Sequence, residues 1–348
     1  MSDQSPTAAP SPDKDLKPAP GSFQRFGHRL GENWIVLVLI GLVVIFSLLS
    51  PAFRTPFNIG NVVNDASLLL IIALGQTYVM IAGGLDLSVG SVLVFSGVVA
   101  AKIMGSGEIG GAANASVGII VLALVVALLS GVVWGFINGL LITRLKLPPL
   151  IVTLGTLGMA LGFAQIMSGG IDLSGVPAGL VSVIGFGKVL GVPVLVIIAI
   201  VLSVGAAIVL RFTRFGRYTY SIGSNLEASR RVGIRVDRHL IKIYAFQGLL
   251  AGLVGILSLM RYTTTTIGAH GQDNLAVISG VVLGGTSLFG GYGSILGTVV
   301  GILIPAVLAN GLQILGVQPF WQTVVIGAIL IVAVYFDRLK RKARAAGS

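Results

Sequence analysis

The stretch GGLDLSVGS at 83–91 sets a carboxylate, Asp86, and a hydroxyl, Ser88, between two long apolar runs. Only 10% of the chain is charged, so an isolated carboxylate there calls for a reason. It can cap a helix, because free N–H groups and the dipole at a helix N-terminus favour an anion. It can also belong to a polar site. Asp86 or Ser88 can cap the run that follows, and Gly83 and Gly84 can end the run before it. Uncharged amides and hydroxyls recur inside other apolar runs: Gln76, Asn138, Thr153, Asn310 and Gln322. Such groups bind neutral polyols, and they also hydrogen-bond one buried helix to another. With Asp86 and Ser88 they form a candidate polar path.

Other chemistries are excluded or unsupported. There is no cysteine, which removes disulfides, thiolate metal sites and cysteine nucleophiles. His28, His239 and His270 lie far apart at the borders of apolar runs, with no His-x-x-x-His spacing and no evident carboxylate partner. Neither a metal site nor acid–base work is expected of them. No Gly-x-x-x-x-Gly-Lys-Ser/Thr cradle for nucleotide phosphates occurs. Lys, Arg and Glu are scarce within the runs, which weakens ion-coupled schemes.

The elements that position these residues follow from hydropathy. The chain has 348 residues, 55% of them hydrophobic and 10% charged, against roughly 25% charged in a soluble domain. Runs of about 20 apolar residues match the length of a membrane-crossing helix. The expected fold is an all-α polytopic membrane protein with about ten spans: 34–50, 62–82, 88–104, 117–141, 149–168, 190–210, 241–260, 274–290, 294–315 and 319–336. Residues 1–22, rich in proline, serine and alanine, read as a disordered tail.

Orientation follows from lysine and arginine, which concentrate on the cytoplasmic side. With the N-terminus inside, nineteen of the 23 basic residues fall in cytoplasmic segments. Both termini are then cytoplasmic, as is the joint at 83–88. The formal charge of +11 reflects this placement and not a nucleic-acid surface. Two sequence pairs suggest a 5+5 inverted repeat: LPPLIVTLGTL (147–157) with VQPFWQTVVIG (317–327), and INGLLI (137–142) with ANGLQI (309–314). The second pair makes Asn138 and Asn310 counterparts.

The longest charged segment is 211–240. Within it, NLEASRRVGI reads as one short helix: Asn225 as N-cap, Glu227 in the first turn, Arg230 and Arg231 in the last, Gly233 as the stop. About eight residues do not hold a helix alone in water. The segment is either a connector lying on the membrane surface or a docking helix for a cytoplasmic partner.

GRYTYSIGSNLEASRRVGI resembles the cytoplasmic coupling loop of ribose-type permeases of ATP-binding-cassette importers. GGLDLSVGS and VVLGGTSLFGGYGSILGTVVG (281–301) resemble the same family in the same order, and with AVYFDRLKRK the likeness spans about 30–345. Family members often carry Glu-Leu where this chain has Asn274-Leu275. The resemblance implies the inner-membrane subunit of a sugar importer, not an enzyme. It also implies a single permease domain over 30–345, with no cofactor of its own. ATP and Mg would sit on a separate cassette ATPase gripping Gly216, Arg217, Gly223, Asn225, Glu227, Ala228, Gly233 and Ile234. The substrate would be a monosaccharide or related polyol, delivered by a periplasmic sugar-binding protein to two permease copies embedded in lipid. It implies too that the 83–88 joint moves or lines the inner mouth of the path. The competing reading is a secondary transporter or passive channel for small neutral solutes.

Overall fold

A computed structural model describes residues 34–105, 115–174, 176–265, 267–268, 270 and 273–346. The tail expected at 1–22 lies outside them. Each of the ten expected apolar segments is a helix: α1 (Trp34–Leu49), α2 (Pro56–Ile81), α3 (Val89–Ile103), α4 (Val117–Arg144), α5 (Pro149–Ser168), α6 (Val194–Phe212), α9 (Val236–Tyr262), α10 (Asp273–Leu283), α11 (Ile295–Ile314) and α12 (Pro319–Ala346). Six of them, α2, α4, α5, α6, α9 and α11, are long and apolar enough to cross a membrane. The architecture is that of an all-α polytopic membrane protein.

Several bounds differ from expectation, α9 beginning at Val236 and not 241 and α12 running to Ala346 and not 336, and two others differ for local reasons. Helix α2 begins at Pro56, not residue 62, because Thr55 caps it: its Oγ1 accepts from Asn58 N, with proline in the first position. Helix α10 stops at Leu283, not 290, because Gly285 takes φ +87° and turns the chain. The charged segment holds two helices where one was expected, α7 (Arg214–Ser224) and α8 (Leu226–Arg231). A two-residue hairpin, β1 (Lys188–Val189) with β2 (Val192–Pro193), precedes α6.

Helix α9 is the axis. It packs against α4, α3 and α2. Its contact with α4 is made by glycine. A side chain at Gly131 or Gly135 would run into the backbone of α9 at Gly248 and Tyr244. Small residues let membrane helices approach to backbone contact, where van der Waals packing replaces the hydrophobic drive that lipid cannot supply. Helices α10 and α11 meet the same way, through Gly280, Gly284, Gly297 and Gly301. Helices α4, α5 and α6 turn large apolar side chains outward, among them Leu129, Ile151 and Val201. That suits a surface solvated by lipid tails.

Candidate functional site

The 83–91 stretch forms an extended joint between two helices. Gly83, at φ +81°, ends α2, and Gly84 N returns to Val79 O. Residues 84–88 then run without helical structure to α3. Asp86 Oδ1 accepts from Ser88 N (2.8 Å) and Ser88 Oγ (2.6 Å). This Asx-type turn lies before the helix. Ser88 occupies the N-cap position but makes no side-chain capping bond, so neither residue caps α3 as expected. Nor is the joint a surface feature, since Asp86 and Ser88 are each 1% exposed.

What compensates this burial is a hydrogen-bond chain from the joint to α4 and α5. Thr156 Oγ1 on α5 donates to Asn138 Oδ1 on α4 (2.7 Å). Asn138 Nδ2 donates to Ser88 Oγ (2.9 Å), which donates to Asp86. Thr153 Oγ1 and Tyr244 OH point to Leu85 O. A buried polar network is stable only when its members satisfy one another. Four sequence candidates, Asp86, Ser88, Asn138 and Thr153, thus converge. Just beyond them, Gly90 N donates to Asn274 Oδ1 (2.8 Å). The starts of the two short helices α3 and α10 therefore meet inside the protein. The Asn274 side chain thus serves this junction.

The other three candidates lie elsewhere. Gln76 is fully buried on α2 against Gln247 of α9. The Nε2 of the first and the Oε1 of the second lack partners. Asn310 exchanges two hydrogen bonds with Asn58 at the start of α2. Gln322 is half-buried on α12.

Within the charged segment, α8 is built as its sequence indicated. Asn225 Oδ1 accepts from Ala228 N (2.9 Å), and Gly233, at φ +84°, ends α8 with Ile234 N bonded to Ser229 O. Helix α7 ties this segment to the interior. Thr213 Oγ1 caps it at Gly216 N. At its far end, Gly223 packs on the last turn of α2: a Cβ there would overlap Ile81 O and lie 2.7 Å from Gly291 N. Gly291 N itself donates to Ile81 O (2.9 Å), and Tyr220 OH donates to Gly293 O (2.7 Å). Burial pushes the Tyr220 phenol up from its ordinary value, so it remains a neutral donor. Three sequence motifs, 81–84, 220–224 and 290–293, therefore meet backbone to backbone. Arg217 and Glu227 are exposed.

A second cluster, at the opposite end of α2 and α9, escaped the sequence reading. Arg261 Nη2 donates to Asn61 Oδ1 (2.8 Å), and its Nε lies 3.8 Å from Asp65 Oδ1. Tyr262 OH donates to Asp65 (3.2 Å). His270 does have a carboxylate partner, Asp273, at 2.7 Å, and its Nε2 meets Ser258 Oγ at 3.0 Å. His239 pairs with Thr219 instead (2.9 Å). The signal available was Asp65 inside an apolar run and a His-x-x-Asp spacing at 270–273.

Comparison with known proteins now identifies the family. The model of the family described as "Branched-chain amino acid transport system / permease component" matches residues 58–334. The ribose import permease protein of Bacillus subtilis is 39% identical, over 92% of this chain and 94% of its own. The D-allose transport system permease of Escherichia coli is 34% identical (93% and 95%), and the L-arabinose permease of Azospirillum brasilense 35% (97% and 96%). No solved structure matches. The chain is a multi-pass inner-membrane transport subunit, not an enzyme, and it belongs to the branched-chain amino acid transport system / permease component family, among the ribose-type permeases.

Proposed function

We propose that this chain is the membrane subunit of a binding-protein-dependent importer that moves a monosaccharide or related polyol into the cell. A separate cassette ATPase, carrying the ATP and Mg, would drive it through 211–240. Its relatives are permeases for ribose, allose and arabinose, which supports the substrate class. The observation that carries the drive is the three-way glycine contact. Helix α7 cannot press inward without displacing the end of α2 at Ile81 or the 290–293 turn, because no side chain separates them, and Tyr220 ties it to Gly293 when it withdraws. Both of those segments adjoin the short helices α3 and α10, whose starts meet at Gly90 and Asn274. A push on 211–240 is thus led to the interior joint. Paired short or broken helices in the two halves of a transporter are where its path is expected.

We further infer ten crossings over a single domain at 30–345, both termini cytoplasmic, and two inverted halves. In support, Asn138 sits near the end of α9 that joins the charged segment, and Asn310 meets Asn58 at the opposite end of α2. Pro149 and Pro319 each open the following helix. A second copy of the chain and a periplasmic sugar-binding protein complete the assembly. The test is gentle extraction and co-purification with the products of the neighbouring reading frames. A stoichiometric ATPase that is lost when Glu227 becomes Lys supports the proposal. A chain that purifies alone from intact membranes, with both partners expressed, contradicts it.

A further inference from the structure

The cluster at the outer half of α2 and α9 surrounds a cavity of about 400 Å³ lined by Asp65, Leu68, Leu69, Tyr262, His270 and Asp273, with Val254 behind. That volume is within the range of small-molecule sites, ~300–1,000 Å³. A larger cavity of about 730 Å³ adjoins it, shares Tyr262, and is lined by Asn61, Asn64 and Arg261 among others. The two follow one another along α2, the larger over residues 56–64 and the smaller over 65–69.

Three observations mark the inner cavity as built for a ligand. First, Asp65 lies within α2, a helix long and apolar enough to cross a membrane, yet its side chain is 42% exposed. A carboxylate within a span is too costly to face hydrocarbon, so it faces water. Second, the polar groups are held at one end each. Tyr262 OH and Arg261 fix Asp65, and Asp273 is fixed through His270 and Ser258. Carboxylates have about four acceptor sites, so each keeps capacity to spare, and Asp273 is 24% exposed at its side chain. Third, the adjoining larger cavity is lined by Asn64 and Arg261, whose buried Oδ1 and Nε have no hydrogen-bond partner, the Nε lying 3.8 Å from Asp65. Such orphans cost about 1–3 kcal/mol each and mark a place where a further polar partner belongs.

We propose that this cavity is a saccharide subsite on the outer side of the permease. Asp65 and Asp273 accept from adjacent hydroxyls, the Tyr262 ring offers a face to the sugar's C–H surface, and Leu68 and Leu69 close the floor. A ligand rich in hydroxyl donors and free of charge suits it. An anion is repelled by the two carboxylates, and an apolar solute leaves them dry. The subsite gives the sugar a foothold between the binding protein and the interior joint, and to that extent it rests on the import proposal.

The chain has no cysteine, so one introduced thiol reports without background. Leu69→Cys in the full-length protein, in lipid nanodiscs, is labelled with a small methanethiosulfonate reagent, with D-ribose, D-allose or L-arabinose as probe. Ile171→Cys, at a residue 66% exposed and outside both cavities, serves as control. One probe is expected to slow labelling at residue 69 at least threefold, to leave residue 171 unchanged, and to lose its effect when Asp65→Asn or Asp273→Asn is added. Uptake of the same sugars is measured in cells expressing the chain with its ATPase and binding protein. Uptake without protection at residue 69 overturns the subsite and leaves the import proposal standing. Protection without uptake supports the subsite and overturns the import proposal. Neither protection nor uptake removes both. Protection that survives both carboxylate variants overturns the residue assignment.

Discussion

Replacing Gly223 with alanine tests how tightly the charged segment is joined to the interior. The added methyl overlaps Ile81 O and lies 2.7 Å from Gly291 N. Those two atoms are hydrogen-bonded to each other at 2.9 Å. Carbon–heavy-atom contacts settle near 3.5–4.0 Å, so α7 must separate from both segments by more than an ångström. Overpacking of this kind costs about 1–3 kcal/mol, and loss of the buried backbone bond adds about 1–3 kcal/mol. A destabilisation of about 2–6 kcal/mol is expected, borne by the contact and not by the spans. Gly205→Ala is the control: it is a helical glycine with nothing within 4 Å, and the change should be neutral or stabilising by up to ~1 kcal/mol. The assays are the thermal midpoint in detergent, membrane insertion, and uptake with the ATPase and binding protein present. Gly223→Ala should insert, lower the midpoint and reduce uptake at least tenfold, with Gly205→Ala near wild type. Equal behaviour of the two variants would refute the argument that backbone contact at Ile81 transmits the drive.

Other outcomes follow from the same structure. Tyr220→Phe removes the bond to Gly293 O and should reduce uptake more than it reduces ATP hydrolysis by the assembled transporter; equal losses would remove its linking role. Asn138→Ala strips the middle of the Thr156–Asn138–Ser88–Asp86 chain and should cost about 2–4 kcal/mol in the thermal midpoint. Asp86→Asn keeps an acceptor for Ser88 and should be milder in stability than Asp86→Ala, the ordering being read from detergent melts. Asn225→Ala should cost about 1 kcal/mol of α8 stability and weaken co-purification of the ATPase, whereas unchanged recovery would free α8 from the docking role.

What the sequence disclosed is what local chemistry controls. Ten apolar runs became ten helices because length and hydropathy leave few alternatives in a membrane. The α8 helix was legible from Asn225 to Gly233 because caps are encoded within a few residues. Helix α7 was not, since RFGRYTYSIGS has two glycines and two β-branched residues and little intrinsic preference for a helix. It forms because Thr213 caps it and Gly223 lets it seat on α2. The start of α2 was readable in Thr55-Pro56 but was masked by the polar residues at 58, 61, 64 and 65. Residues 58, 61 and 65 proved to face Asn310, Arg261 and Tyr262, partners 197 to 252 positions away. No local pattern announces such pairings. The polar candidates divided on the same ground. Residue type singled out Asn138 and Asn310 equally, and only tertiary packing joined the first to Asp86 and the second to Asn58.

The central claim is that this permease moves a neutral sugar at the expense of ATP hydrolysed on a partner. Inside-out orientation being controlled, proteoliposomes holding the chain, the neighbouring cassette ATPase and the binding protein are given radiolabelled ribose, allose or arabinose, with ATP or a non-hydrolysable analogue on the ATPase side. The account predicts accumulation of at least one sugar that needs hydrolysis and is lost in Gly223→Ala. Accumulation of the sugar to the same level with the analogue, or without the ATPase, would contradict it.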